Sequence, residues 1–244
     1  MFAQPEFLAF SSHGHLYLKP IGHYRFAADL AAAPLSGSEV PEAAKHFPVV
    51  FAREGESLLP RAIFSVRAGE NAFVAADGTW QAPYVPTYVR CYPFVLSPTR
   101  SGDRFAIAID RTAPQLQAAD RAHPDSDPLF DASGNPAPAL ERVKALLIQF
   151  QRDCHQTERL LSPLAQRQVL VARQFQLKLG EETASTLGGF RTLDPQQLGA
   201  VDDATLAEWV RNGTTGIAFA HLHSLSNMRG LAERQKAQLA AEAR

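Results

Sequence analysis

The distribution of proline constrains the fold of this 244-residue chain more than any other feature. Fifteen of the 17 prolines lie at or before Pro138, and only Pro163 and Pro195 follow it. Proline is excluded from the interiors of helices and from central strands. We therefore predict an α+β fold. An N-terminal antiparallel β-sheet or small barrel would be followed by a mainly helical C-terminal half with a small β-hairpin.

The same asymmetry divides the chain into three parts. Eleven of the 15 phenylalanines also lie before Pro138, and aromatic residues favour strands. We predict a β-rich portion over 1–110, a proline-rich connection over 111–138 and a mainly helical portion over 139–244. The two large portions should share one core. A chain of this length buries roughly 70–75% of its unfolded surface, so the core needs no disulfide or metal.

Short segments rich in β-branched and aromatic residues occur throughout the β-rich portion. In one of them Phe105, Ile107 and Ile109 alternate with smaller residues, which is typical of a strand with one large-residue face. Asp77-Gly78 indicates a hairpin, because this pair adopts positive φ at low cost. The predicted strands are Leu16–Leu18, Val49–Ala52, Ala62–Val66, Ala72–Ala75 and Arg104–Asp110.

Helical periodicity begins after the proline-rich connection. Apolar residues at steps of three and four predict an amphipathic helix from about Pro138 to Leu160. Ser162-Pro163 is typical of the start of a second, shorter helix. A third helix is predicted to be capped by Asp203 and ended by Asn212-Gly213, and a last one to begin near Ile217.

A small hairpin is predicted between these helices. Apolar and polar residues alternate over Phe175–Leu179, as in a half-buried strand. Phe190–Leu193 is the predicted partner strand. Gly180 and Gly188-Gly189 are predicted to bracket the turn.

Charge and composition exclude several classes of partner. The formal net charge of -1 provides no attraction to nucleic acid or to an anionic membrane surface. No run of about 18 apolar residues occurs, so we expect no membrane-spanning helix. The first residues lack a basic segment, and Pro5 and Glu6 interrupt their apolar run, unlike a signal peptide. We expect a cytoplasmic protein.

The sequence lacks the local motifs of the commonest enzymes. It holds no phosphate-binding glycine loop, dinucleotide fingerprint, nucleophile elbow or zinc-protease motif, and we expect no cofactor. Cys91 and Cys154 are too few for a zinc site built on cysteine, and we expect them to be reduced, with Cys154 in the core. Asp125, Asp127 and Asp131 do not form a calcium loop, because leucine and proline occupy ligand positions. We expect no metal.

Four of the histidines form two close pairs. His13 and His15 flank a glycine, and we expect them to be exposed, because no acidic partner lies close in sequence. His221 and His223 are roughly 200° apart around a helix axis, so one helix cannot present both to a metal. His221 shares a face with Leu225, which indicates a hydrogen-bonded, half-buried side chain. The alternative for His221 is a general base.

The most unusual stretch of the chain is Trp80–Phe94, named the aromatic segment below. It holds three of the five tyrosines at four-residue spacing, with one tryptophan, one cysteine and three prolines. If the tyrosine rings are buried and only their hydroxyls reach solvent, the segment has a structural role and covers a sheet. Exposed rings beside an arginine would instead form a rigid stacking surface for a peptide, sugar or protein. The candidate binding residues are Trp80, Tyr84, Tyr88, Arg90 and Tyr92, together with Asp110 and His221.

Residues 84–94 read Tyr-Val-Pro-Thr-Tyr-Val-Arg-Cys-Tyr-Pro-Phe. This block resembles the Tyr-Val-Pro-x-Tyr-Val-Arg-Arg-Tyr-Pro-Phe block of the bacterial SapC-like family. Cys91 stands where that family has a second arginine, which weakens any anion site built on two arginines. Ala72 stands where leucine is usual. The other matches, in the same order along the chain, are Phe47–Phe51, Asn71–Val74, Asp77–Trp80, Asp110, Leu129–Asp131, Gly134 and Ala220–Asn227.

The resemblance implies a link to bacterial surface-layer formation, from which the family takes its name. It also implies a likeness to proteins encoded beside flavin-dependent halogenases and outer-membrane receptors. It transfers no catalytic residues to this chain.

Three functional hypotheses follow. The first is a non-catalytic cytoplasmic accessory protein that binds a peptide or protein partner through the aromatic segment. The second is a hydrolase or tailoring enzyme whose active site brings together distant residues such as His221, Asp110 or Arg90. The third is an oligomeric structural component linked to surface-layer formation.

Overall fold

A computed structural model describes residues 1–55, 57–99, 104–178 and 184–242 of the chain. Its fold is of the α+β class, as the sequence predicts. Three antiparallel sheets contain the strands β1 (Pro5–Phe7), β2 (Leu16–Leu18), β3 (Ala32–Pro34), β4 (Val49–Glu54), β5 (Ser57–Ile63), β6 (Phe94–Pro98), β7 (Phe105–Asp110), β8 (Leu116–Ala118), β9 (Asp127–Pro128), β10 (Leu170–Lys178) and β11 (Ala184–Leu193).

The helices range from single turns to one of 29 residues. Two short 3-10 helices, Arg25–Ala27 and Ala119–Arg121, accompany them. The α-helices are α1 (Phe10–His13), α2 (Val40–Ala43), α3 (Thr87–Arg90), α4 (Pro138–Gln166), α5 (Pro195–Gly199), α6 (Asp203–Asn212), α7 (Thr214–Ser224) and α8 (Asn227–Glu242).

The central sheet has five strands in the order β10-β11-β4-β5-β3. It therefore combines strands from the N-terminal and C-terminal parts of the chain, because the hairpin after α4 adds to the edge of β4. The other two sheets have the orders β1-β7-β6 and β8-β2-β9. Strands β2 and β7 lie where the sequence predicts them, and β4 begins at the predicted Val49.

The predicted strand Ala72–Ala75 is wrong. This stretch forms a turn in which the Phe73 backbone N–H donates to the Asn71 side chain, 2.9 Å away. A single antiparallel bridge joins Val74 to Trp80, and Gly78 has a φ of 90° in the tight turn between them. The Asp77-Gly78 signal thus marks a turn whose flanks are too short to form strands.

Helix α4 carries the predicted apolar stripe, and Leu140, Leu147 and Cys154 are buried along it. It does not end where expected: the second helix predicted at Ser162-Pro163 is the last turn of α4. Proline removes one backbone donor, and Pro163 does so close to the C-terminus of the helix. Leu161 and Leu164, buried on either side of it, hold this turn against the core.

The predicted hairpin is present as β10 and β11 and is longer than expected. Gly188-Gly189 does not bracket its turn but lies within β11, opposite a shift of register between Arg173 and Phe175. Gly189 has a φ of 82°, which is typical of a bulge. The predicted turn residue Gly180 lies outside the described residues.

The last predicted helix is two helices, α7 and α8. The hydroxyls of Ser224 and Ser226 donate to the His221 and His223 carbonyls, at 2.6 and 2.8 Å. Such side-chain bonds compete with the helical ladder. The N-cap of α6 is Asp202, one residue before the predicted Asp203, and Gly213 ends that helix in the left-handed conformation.

Two groups of buried residues form the core. The larger surrounds Phe47, Phe64 and Trp209, and the smaller includes Phe94 and Leu147. The aromatic segment contributes to both, with Trp80 and Val89 in the larger group and Cys91 and Phe94 in the smaller. It therefore lies where the two groups meet.

Candidate functional site

One end of the aromatic segment is fixed by a buried carboxylate that sequence reasoning missed. The Tyr84 hydroxyl donates to Glu39 Oε1 at 2.6 Å, and the Thr87 backbone N–H donates to the same oxygen at 2.7 Å. The Ser36 N–H and hydroxyl both donate to Oε2 at 3.0 Å. Burial and the bond to Glu39 raise the pKa of Tyr84. The Trp80 indole N–H donates to the Tyr84 carbonyl, 2.8 Å away.

The other end of the segment is held by Asp110, whose side chain is fully buried. The Tyr92 hydroxyl lies 3.3 Å from Asp110 Oδ2. The backbone N–H groups of Ala3, Gln4 and Thr112 donate to the same carboxylate, as does the Thr112 hydroxyl. Burial alone would raise the pKa of Asp110, but these donors hold it below its usual value. Asp110 is thus an ionised anchor that ties the N-terminal backbone at Ala3 and Gln4 to the turn at Thr112.

The tyrosines of the segment therefore do not share one open face. Tyr92 is buried, Tyr84 and Tyr88 are half-buried, and Arg90 is exposed. Tyr88 lines a cavity of about 230 Å³, whereas Arg90 lines a different one of about 250 Å³. The Arg90 guanidinium donates to the Thr87 hydroxyl at 2.7 Å.

His221 is fully buried, more than the half-burial expected, and uses both ring nitrogens. Nδ1 lies 2.6 Å from the Val49 carbonyl, and Nε2 accepts the Leu193 backbone N–H at 3.1 Å. A neutral imidazole protonated at Nδ1 fits both contacts. Burial lowers the pKa of His221 to about 4, against the opposing effect of the Val49 bond. Both ring nitrogens are thus hydrogen-bonded to backbone groups.

The His221 imidazole lies between two neighbouring strands. Phe51 of β4 pairs with Arg191 of β11, so Val49 and Leu193 face each other in the same register. The ring takes the place of a direct bond between them. Close by, the Val49 N–H donates to the Ser224 hydroxyl at 2.9 Å. The late helical motif thus binds the segment that begins at Phe47, and both are blocks on which the resemblance rests.

The structure does not bring the proposed catalytic residues together. In the described part of the chain, His221, Asp110 and Arg90 make no hydrogen bond to one another, and each binds a different segment. They do not form a nucleophile–base pair or a triad, which would require mutual hydrogen bonds.

The histidine pair near the N-terminus also differs from expectation. His15 is exposed as predicted, but His13 is only 2% exposed. Its Nε2 lies 2.8 Å from Glu6, an acidic partner seven residues away. Glu6 lies in β1 and His13 in the single-turn helix α1, and the turn of the chain between them brings the two side chains together.

The remaining predictions concern metals, thiols and membranes. Cys91 and Cys154 are free and buried. Asp131 accepts the backbone N–H groups of Ser133 and Asn135, both at 2.8 Å, and so caps its own turn. Among the described residues, no group of three or more potential ligands could hold a metal ion. Within the same ranges, no helix is long and apolar enough to cross a membrane.

A feature absent from the sequence predictions is a cleft of about 600 Å³ between β4 and the β10–β11 hairpin. We name it the arginine cleft, because Arg53, Arg173 and Arg191 line it. In the described part of the chain, β4 and β11 pair at one position only, Arg191 with Phe51. Beyond that pair the hairpin leaves the edge of β4. The one sequence signal is Gly188-Gly189, where β11 bulges.

Comparison with known proteins supports one family. A family model described as SapC matches residues 8–231, nearly the whole chain. The match includes Glu39, Asp110, His221 and the three arginines of the cleft. The chain matches no curated protein and no solved structure. The family match agrees with the resemblance carried by the aromatic segment, and the chain belongs to the SapC family.

Proposed function

We propose that this chain is a non-catalytic accessory protein that binds an extended, acidic segment of a partner protein in the arginine cleft. The observation that carries the proposal is the divergence of the hairpin from β4 beside three arginines. We also propose that the protein is bacterial and cytoplasmic, as expected from the sequence. We place the proposed binding site in the cleft and not on the aromatic segment, because the hydroxyls of Tyr84 and Tyr92 are hydrogen-bonded inside the protein.

Backbone geometry supports an extended ligand. From Ala52 to Glu54, β4 pairs with β5 on one side, whereas β11 pairs with β4 only at Phe51 in the described residues. An edge of this kind offers backbone donors and acceptors to an added strand. A peptide lying along Ala52–Glu54 would continue the sheet in the space that the hairpin leaves.

Charge supports an acidic ligand. The described lining of the cleft contains three arginines and no acidic side chain. Arg173 lies 3.6 Å from Asp194, and Arg191 donates to the Leu170 carbonyl at 3.2 Å. Guanidinium groups keep further donors after one bond and bind carboxylates in a bidentate manner. Glutamates at alternate positions of a strand would face them.

The proposal is tested with a fluorescent peptide of about six residues, the usual length of a strand, in which glutamate and valine alternate. Its affinity is measured by fluorescence anisotropy. We expect Arg173→Gln and Arg53→Gln each to weaken binding about tenfold, the loss of a hydrogen bond to a charged group. A lysine–valine peptide of the same length should bind far more weakly.

Matched controls separate the cleft from general charge. Arg211→Gln removes an exposed arginine of α6 and should leave the affinity unchanged. A central proline in the peptide should weaken binding, because it removes a backbone donor. Equal affinity for the glutamate and lysine peptides, or unchanged affinity in both cleft variants, would overturn the proposal. Weakening by Tyr88→Ala or Arg90→Ala alone would place the surface on the aromatic segment instead.

A further inference from the structure

A second cavity, of about 230 Å³, lies between α4 and β6, with Tyr88 at one wall. We name it the thiol pocket, because both cysteines of the chain, Cys91 and Cys154, line it. Protein interiors contain few voids larger than a water molecule. An engineered apolar cavity of about 150 Å³ binds benzene. The thiol pocket therefore has room for a benzene ring with a short arm.

The interior of the thiol pocket is apolar. Phe94, Leu147 and Phe150 supply rings and branched side chains. Burial raises the pKa of Cys91 and of Cys154 to about 12. Both thiols are therefore protonated near neutral pH, when they behave as small apolar groups and not as nucleophiles. A ligand would bind here without a covalent step.

The outer side of the pocket is polar and negatively charged. Glu158 and His155 line it from one face of α4, with side chains 28% and 59% exposed. They lie 3.4 Å apart. After burial, which has the largest effect, the negative charges of Glu39, Glu158 and Asp153 also raise the pKa of Cys154. A cation at this side of the pocket would be attracted by Glu158, the carboxylate that lines it.

We propose that the thiol pocket binds a small primary amine with an aromatic body, whose ring lies among Phe94, Leu147 and Phe150 and whose ammonium group pairs with Glu158. The apolar interior of the pocket fits the aromatic body of such a molecule, and the carboxylate of Glu158 fits its ammonium group. Apolar side chains supply the binding energy of the ring, and one carboxylate orients the head. The described lining of the thiol pocket shares no residue with that of the arginine cleft, and a further cavity between them is lined by Glu158, Arg53 and Arg191. The proposal does not depend on the one made for the cleft.

The test uses 2-phenylethylamine, with ethylbenzene and 3-phenylpropanoate as matched probes. Because the chain has only two cysteines and both line the pocket, their modification by excess methyl methanethiosulfonate reports its occupancy. The reaction is run at about pH 8.5 and proceeds slowly, through the small fraction of thiolate present there. Intact-mass spectrometry follows the rate on the full chain. We expect the amine to slow modification the most and the carboxylate to slow it the least. Glu158→Gln should weaken protection by the amine about fivefold, as for a partly exposed ion pair.

Two controls keep the proposal falsifiable. Glu141→Gln removes an exposed carboxylate of the same helix and should leave protection unchanged. Ethylbenzene should protect the wild type and Glu158→Gln equally, because it has no charge to pair. Equal protection by the amine and the carboxylate would overturn the proposal. So would modification that no probe slows, or a Glu158→Gln variant that retains the wild-type preference for the amine.

Discussion

The aromatic segment and the arginine cleft use their polar groups in opposite ways. The hydroxyls of Tyr84 and Tyr92 each donate to a buried carboxylate, whereas Arg173 and Arg191 line an opening large enough for a peptide. A side chain whose hydrogen-bonding capacity is met inside the protein has little left for a ligand. Conspicuous residues can therefore specify the fold, and the proposed binding site lies where arginines line an open cleft.

Removing the anchor of the aromatic segment should have the largest effect. Asp110→Ala leaves three backbone donors, those of Ala3, Gln4 and Thr112, without their carboxylate. We expect a loss of about 4 kcal/mol in the free energy of unfolding, measured by urea denaturation. Asp120→Ala, at an exposed aspartate, is the control and should have little effect. A loss below about 1 kcal/mol for Asp110→Ala would contradict an anchoring role.

The next largest effect concerns His221 and pH. Its pKa is about 4 in the folded protein and about 6.5 in the unfolded chain. Between these values the unfolded state therefore binds more protons than the folded state. The contribution of His221 to the free energy of unfolding is fully present above pH ~6.5 and is lost as pH decreases towards ~4. The expected loss over this window is on the order of 3 kcal/mol. Urea midpoints measured at each pH give the curve.

A variant at the same position isolates this contribution. Glutamine can both donate and accept, so His221→Gln should keep the bridge between Val49 and Leu193 but lose most of the pH dependence. His155→Gln, at an exposed histidine, is the control and should keep the pH dependence of the wild type. If His221→Gln titrates like the wild type, the slope comes from other groups.

The two ends of the aromatic segment should differ in strength. The Tyr84 hydroxyl is 2.6 Å from Glu39, whereas the Tyr92 hydroxyl is 3.3 Å from Asp110. Short hydrogen bonds to a carboxylate are the stronger ones. We expect Tyr84→Phe to cost about 2 kcal/mol of unfolding free energy and Tyr92→Phe about 1 kcal/mol, by chemical denaturation. The reverse order would mean that the Asp110 end fixes the segment.

The smallest expected effect concerns the arginine cleft, where a substitution should hardly change stability. Arg173 is 57% exposed and contacts Asp194 only at 3.6 Å. Arg173→Gln should therefore change the free energy of unfolding by less than about 0.5 kcal/mol. Thermal denaturation beside Tyr84→Phe provides the comparison. A large loss of stability in Arg173→Gln would make the cleft part of the scaffold and remove the distinction between the two regions.

Sequence patterns predicted those elements whose formation depends mainly on neighbouring residues. The apolar stripe of α4, the alternation in β7 and the turn at Gly78 follow from periodicity and turn chemistry alone. The end of α4 did not follow, because the packing of Leu161 and Leu164 outweighs a proline near the helix C-terminus. Tertiary contacts decide such positions.

The partners of the candidate residues could not be predicted, because they lie far away in sequence. Glu39 is 45 residues from Tyr84, and Val49 is 172 residues from His221. No spacing rule connects such pairs. The arginine cleft depends on the register of β4 against β11, which pair at Phe51 and Arg191 next to the bulge of β11.

The imidazole between β4 and β11 also has a dynamic consequence. A ladder of backbone bonds makes neighbouring strands open together, but here one backbone pair and one side chain join the hairpin to β4 in the described residues. Hydrogen exchange commonly divides proteins into cooperative units along weak seams of this kind. The β10–β11 hairpin is therefore expected to exchange its amide hydrogens as a unit of its own, while β3, β4 and β5 stay protected.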